Sequence, residues 1–214
     1  NSATVETLTE LEKKAESVFG QTPTTEKLTP GLEADAMLAH EGNPILKKRV
    51  IGKEDVDIAA MIKKLGNSDW VREGRGFYDV NDGVCPFCQQ ATAEAFAQSL
   101  NEYFDEAFEA DSKAIDDLVT NYRTDSSRLQ QQLSSIIIDP SKFIDIEKLR
   151  MEKDLLDSTV TVNIQKLTAK KKEPSQVAEL QSLGNVLSTI KGLIDASNSL
   201  VVKHNTMVAN LSRE

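Results

Sequence analysis

Aromatic residues are scarce in this chain. Phe, Tyr and Trp make up 5% of the 214 residues, with a single tryptophan. Aromatic rings supply much of the buried area of compact cores, so their scarcity argues against a thick globule. Cysteine is nearly absent: there are two, Cys85 and Cys88, and that excludes a disulfide framework for a chain of this length. Histidine occurs only as His40 and His204. No apolar run approaches the roughly 20 residues needed to span a bilayer, and nothing resembles a signal peptide. A cytoplasmic protein with no membrane partner is therefore expected. Neither GxxxxGK(S/T) nor GxGxxG occurs, and Gly74-Arg75-Gly76 is not a phosphate loop. Positive charge is in deficit, with a formal net charge of -9. A free-standing nucleic-acid binder carries a basic face, so no direct nucleic-acid site is expected. The basic run Lys170-Lys171-Lys172 suits a helix C-terminus, where cations oppose the negative end of the dipole. The chain begins at Asn1 without an initiator methionine and ends within helical periodicity, so it is expected to be a segment of a longer protein.

What is abundant is charge, at 28%, together with Gln, Ser, Asn and Thr. That mixture suits thin helical bundles in which each helix buries one stripe. Val5, Leu8, Leu11, Ala15 and Val18 predict a helix over 3–19. Residues 21–50 are broken by Pro23, Pro30, Gly31, Gly42 and Pro44. One short helix is expected around Leu32, Met37 and Leu38, and extended chain at Pro44-Ile45-Leu46 and Val50-Ile51-Gly52. A helix over 53–65 ends at Gly66-Asn67. Ser68 or Asp69 caps a helix that Gly74 and Gly76 keep short, and a turn follows at Asn81-Asp82-Gly83.

From Thr92 the punctuation disappears. Phe96, Leu100, Tyr103 or Phe104, Phe108, Ile115, Leu118, Tyr122, Leu129, Leu133 and Ile136 predict one uninterrupted helix, about 70 Å long at 1.5 Å per residue. A second helix follows, its seam formed by Ile146, Leu149, Leu156, Val160 and Leu167 and two polar positions, Lys153 and Asn163. The third opens at Pro174 or Ser175. Its seam of Leu180, Leu183, Leu187, Ile190, Ile194, Ser197, Val201, His204, Val208 and Leu211 alternates steps of three and four. The expected fold is all-α: an elongated antiparallel three-helix coiled-coil bundle with a small irregular helical cap. Residues 1–90 form the cap, with the CxxC at its end. Residues 91–214 form the long helices, at about 91–137, 142–171 and 174–212.

Candidate chemistry centres on Cys85-Pro86-Phe87-Cys88. Two thiolates at this spacing supply half of a tetrahedral zinc site. The same spacing fits a glutaredoxin-like redox pair, a nucleophilic cysteine, or a structural turn with two reduced thiols. Elsewhere the bland readings lead. His204 reads as a register-setting polar seam position and His40 as an exposed loop residue. Glu102, Asp105, Glu106 and Glu109 read as a solvated face. Trp70, Phe77 and Tyr78 read as the core of the cap.

Four runs carry a family resemblance: Ile51-Gly52-Lys53-Glu54-Asp55-Val56, Leu65-Gly66-Asn67-Ser68-Asp69-Trp70-Val71-Arg72-Glu73-Gly74, Cys85-Pro86-Phe87-Cys88-Gln89-Gln90 and Tyr103-Phe104-Asp105-Glu106. Across about residues 45–135 the chain resembles the middle region of bacterial ABC/SMC-like AAA ATPases. That group includes the anticodon nucleases of the PrrC and RloC type. The resemblance implies a helical insertion in a protein whose ATP and magnesium sites, and any RNase residues acting on tRNA, lie outside this segment. It carries over no catalytic residue. It implies association with a protein partner or with a second copy, and marks Cys85 and Cys88, candidate zinc ligands by their spacing, as a family motif without an assigned role.

Overall fold

The computed structural model describes residues 24–85 and 87–211, so the helix expected over 3–19 lies outside the described residues. The described chain is all-α, without a strand. Its helices are α1 (Asp35–Glu41), α2 (Ala59–Leu65), α3 (Ser68–Asp79), α4 (Glu94–Tyr103), α5 (Glu106–Ile138), α6 (Ile146–Lys172) and α7 (Gly184–Leu211), with a 3-10 turn at Pro44–Leu46.

The backbone of the architecture is the antiparallel hairpin of α5 and α6, joined over 139–145. Asp105 and Asp145 cap the two helices by accepting the N–H of Phe108 at 3.0 Å and of Lys148 at 3.1 Å. Leu129, Leu133, Leu149, Leu156 and Leu167 are fully buried along the seam. At 1.5 Å per residue the 33 residues of α5 reach about 50 Å.

The single rod expected from Thr92 is divided at Phe104-Asp105. No glycine or proline makes this break. Asp105 caps α5, and the turn brings Tyr103, Phe104 and Phe108 edge to face, with ring centroids 4.8 Å apart in each successive pair. Phe104 is buried between Tyr103 and Phe108 at this break.

The expected start of the third helix also moves. Residues 174–183 are not helical, and α7 begins at Gly184. Leu180 and Leu183 are buried as expected, but from an extended segment. Side chains meet its backbone groups: Asn163 accepts the Gln181 N–H at 2.7 Å and donates to the Gln181 carbonyl at 2.8 Å, Lys166 donates to Glu179, and Glu41 accepts the Leu183 N–H. The Leu46 carbonyl accepts the Ala178 N–H.

The N-terminal part of the described chain lies along the hairpin. Glu33, His40 and Lys48 meet Gln132, Asp125 and Asp111 of α5 in turn, so the segment runs antiparallel to α5. Glu26 and Thr29 meet Asn205 and Asn198 of α7. Residues 24–50 therefore occupy the groove between α5 and α7, as an irregular fourth member of the bundle.

Local readings change accordingly. Pro44-Ile45-Leu46 is a 3-10 turn, not extended chain, because Asn43 accepts the Ile45 N–H and Pro44 sits at its start. His40 is no loop residue: it belongs to α1, and its Nε2 lies 2.8 Å from an Asp125 carboxylate oxygen. Helix α2 starts at Ala59 rather than 53, whereas α3 runs through Gly74 and Gly76 to Asp79. Arg72 and Arg75 brace α3 by donating to the Lys172 carbonyl and to Asn101. Gly52 is obligatory, since a Cβ there would lie 2.3 Å from the Tyr103 ring.

Candidate functional site

Three features stand out: a cysteine turn, an apolar cavity beside it, and a polar joint beneath both. The turn grows from the end of α3. Asp82 and Gly83 both take positive φ, 50° and 73°, which reverses the chain as expected at Asn81-Asp82-Gly83. The chain then folds back on itself. Cys85 donates its N–H to the Gln90 carbonyl at 3.0 Å, and Gln89 donates to the Cys85 carbonyl at 2.8 Å. Val84 and Ala91 form an antiparallel bridge. Tyr78 and Thr92 pin the base, with their hydroxyls 2.6 Å apart and Thr92 donating to the Gly83 carbonyl.

Within this turn both cysteines are free thiols; Cys88 is exposed and Cys85 half-buried. Backbone N–H groups hold the Cys85 thiol below its ordinary range, that of Cys88 first and that of Phe87 second, with the Cys88 side chain adding to them. Amide N–H groups directed at one sulfur favour its thiolate, the form that ligates metals and attacks electrophiles. The donor set suits a soft cation such as zinc but supplies two ligands of the four required. No group of three or more His, Cys, Asp or Glu side chains gathers among the described residues. His40 and His204 serve other contacts.

Beside the turn lies a cavity of about 280 Å³, lined by Ile58, Met61, Trp70, Tyr78, Cys85, Phe87 and Phe96 among others. Trp70 and Phe87 stack at its mouth, their ring centroids 6.0 Å apart. The expected cap core is thus only partly one. Tyr78 is buried, whereas Trp70 is 57% exposed and Phe77 62% exposed. Together with Met61, Leu65, Val80 and Phe87 they leave large apolar side chains in solvent, so this end is not a finished core.

Sequence reasoning missed the joint. Lys170, inside the basic run assigned to a helix end, is 2% exposed. Its ammonium donates to the carbonyls of Lys48, Pro174 and Gln176, so all three of its protons are used. Burial pulls its pKa below the usual lysine range, while Asp69 and Asp111 oppose that shift. Around it Val50 donates to the Pro174 carbonyl, Arg49 to the Ser175 carbonyl, and Asp69 accepts the Ser175 N–H. Lys170 therefore ties the N-terminal segment to the end of α6 and the turn after it, and Asp69 at the start of α3 joins the same turn through Ser175. Only the mismatch between a buried position and a charged residue could have flagged it, and burial is not readable at a helix end.

His204 is not a sealed seam residue. It is half-buried and its Nε2 meets the Thr24 carbonyl at 2.9 Å. Glu102, Asp105, Glu106 and Glu109 converge on no common site: Glu102 accepts from Gln98, Glu109 faces Arg75, and Asp105 is the cap of α5. No described helix is long and apolar enough to cross a membrane.

The architecture is that of an all-α helical-hairpin region bearing a cysteine turn at one end. Residues 1–214 match the AAA_13 family, described as an AAA domain. The chain belongs to this family of SMC-like AAA ATPases. No curated protein and no solved structure matches it.

Proposed function

We propose that this chain is a helical insertion of an ATPase, a spike that carries nucleotide-driven motion to an association surface at its cysteine-turn end. The observation that carries the reading is the placement of the two ends. Thr24 and Glu26 sit beside His204 and Asn205, next to the 139–145 loop. The cysteine turn, the exposed aromatics and the Lys170 joint lie at the opposite end of the hairpin, where α5 begins and α6 finishes. A helical hairpin that is closed at one end and presents exposed apolar surface at the other, about 50 Å away, suits a spike with one association end.

Gly74 and Gly76 lie inside α3, so the one glycine-rich stretch forms no cradle for phosphates. ATP and magnesium belong to other parts of the ATPase in this reading. The motif runs of residues 45–135 resemble those of the anticodon-nuclease-like group, and no nucleolytic residue is assigned here.

Stiffness comes from the α5–α6 seam, and transmission from the Lys170 joint. Displacement of α6 moves Pro174 and Gln176, and with them Lys48 and α3. At the tip, the partner in this reading is a second copy. Cys85 and Cys88 from each copy would complete a four-thiolate zinc site, with Trp70 and Phe87 packing around it. A stand-alone coiled-coil adaptor is the alternative, and membership of an ATPase family weighs against it.

The test is the mass in solution of the full chain, measured with and without zinc. The expected result is a dimer with about one zinc per two chains, lost in Cys85→Ser with Cys88→Ser. A monomer with bound zinc, or a dimer indifferent to both substitutions, contradicts the tip assignment.

A further inference from the structure

At the other end of the molecule, α7 holds residues 24–30 in an unusual way. Asn205 accepts the Glu26 N–H at 2.8 Å and donates to the Glu26 carbonyl at 2.9 Å. Asn198 does the same for Thr29, accepting at 2.8 Å and donating at 2.9 Å. Each carboxamide thus brackets one residue of extended chain as a neighbouring strand would, using main-chain groups alone. The two asparagines are one heptad apart, a rise of about 10 Å. The residues they bracket are three apart, which in extended chain is also about 10 Å. The helix is a ruler matched to extended backbone. His204 extends the ladder by meeting the Thr24 carbonyl. Only two positions read side chains: Lys142 pairs with the Glu26 carboxylate at 2.9 Å, and Thr29 is buried.

The resident strap is lightly held. Of its residues only Thr29 is buried, and Leu28 is 56% exposed. A cavity of about 530 Å³ lies between it and the end of α5, bounded by Ser135, Ile136 and Asp139 to Ser141. The strap is therefore fixed to α7 by amide brackets and stands off α5.

We propose that the Asn198–Asn205 face of α7 is a clamp for extended peptide, and that residues 24–30 are its releasable resident. The partner it fits is an extended segment with a carboxylate three residues ahead of a small hydroxyl residue, the Glu-x-x-Thr pattern of the strap itself. Main-chain recognition of this kind gives affinity with little sequence demand, and the two side-chain positions set register. This surface is independent of the cysteine turn.

The test uses the full chain and a fluorescent peptide with the sequence of residues 24–33. Glu26→Pro with Thr29→Pro removes both bracketed N–H donors from the resident strap and opens the clamp. The peptide is expected to bind that variant at least tenfold more tightly than the unaltered chain. Adding Asn198→Leu and Asn205→Leu is expected to weaken binding at least tenfold. If the leucine pair unfolds α7, judged by helix content, Asn198→Ser with Asn205→Ser replaces both amides with hydroxyls too short to bracket the strap and makes the same comparison. Hydrogen exchange supplies a second readout: the Glu26 and Thr29 amides of the unaltered chain should exchange together, at least a hundredfold faster than Leu156. Absence of saturable binding to the opened variant, binding indifferent to both asparagine pairs, or strap amides as protected as Leu156 would each overturn the proposal.

Discussion

The two sides of α6 are held by different physics. Towards α5 it packs through Leu149, Leu156, Val160 and Leu167, a non-directional seam whose worth scales with apolar area. Towards residues 174–183 it acts through Asn163, Lys166 and Lys170, which bond to backbone carbonyls and amides. The first arrangement tolerates sliding by small steps. The second specifies one register, because a one-residue shift leaves the Gln181 amide and three carbonyls without partners. The difference explains how one helix can serve both as a stiff rod and as the fixed side of a joint.

Breaking the polar side at its centre should have the largest effect. Lys170→Met leaves the Lys48 and Gln176 carbonyls unpaired and the Pro174 carbonyl with Val50 alone, and is expected to cost about 4 kcal/mol in denaturant unfolding. On the apolar side, Leu156→Ala should cost about 3 kcal/mol, the usual toll of a fully buried leucine. Equal or reversed losses at these two sites would undo the ranking of the joint over the seam. Asn163→Leu keeps the volume but removes both bonds to Gln181 and the bond to Tyr122, and should cost about 2 kcal/mol. Burial already holds the Tyr122 phenol above its ordinary range and the Asn163 donor opposes that shift, so Asn163→Leu should raise the phenol pKa further, read by ultraviolet titration; an unchanged or lowered midpoint would mean that Asn163 acts by filling space rather than by bonding. Asp105→Ala removes the cap that divides α4 from α5 and should cost about 1 kcal/mol by thermal unfolding.

The smallest effect is chemical. In Cys88→Ser the amide N–H groups of residues 87 and 88 still face the Cys85 sulfur. Alkylation of Cys85 should therefore titrate below the ordinary thiol range. A midpoint in the ordinary range would remove the physical basis for thiolate character at the turn.

Much of the long-range plan was legible from spacing. The seams of α5 and α6 were readable because leucine and isoleucine at steps of three and four leave one face for burial. The break at Phe104-Asp105 was written in a cap, Asp105 followed by the acidic first turn Glu106 and Glu109, and was obscured because the apolar rhythm continues on both sides of it. The start of α7 was misplaced for the same reason. Leu180 and Leu183 keep helical spacing while lying in extended chain. The overlooked signal was Ser182 ahead of Gly184: the serine hydroxyl accepts the Gly184 N–H at 3.2 Å, and glycine is a poor interior residue but an acceptable first one.

The cysteine turn was legible as a turn, and its partners were not. Tyr78 and Thr92 are fourteen positions apart, and no local pattern links them. Asn163 and Lys170 were read as a seam residue and a helix-end cation, because sequence shows residue type and phase but not what the opposite side offers. Polar residues whose partners are backbone groups of distant irregular chain leave no periodic trace. The same holds for Asn198 and Asn205, whose heptad spacing acquires meaning only beside residues 24–30.

The central claim is that the Asn163 amide and the ammonium groups of Lys166 and Lys170 hold residues 174–183 where a helix was expected. Residue-resolved hydrogen exchange of the full chain tests it most directly at the Gln181 amide, whose acceptor is the Asn163 side chain. Protection comparable to that of mid-α6 amides, falling at least tenfold in Asn163→Leu while Leu156 stays protected, is the predicted result. A Gln181 amide that exchanges freely, or whose protection survives loss of Asn163, would contradict it.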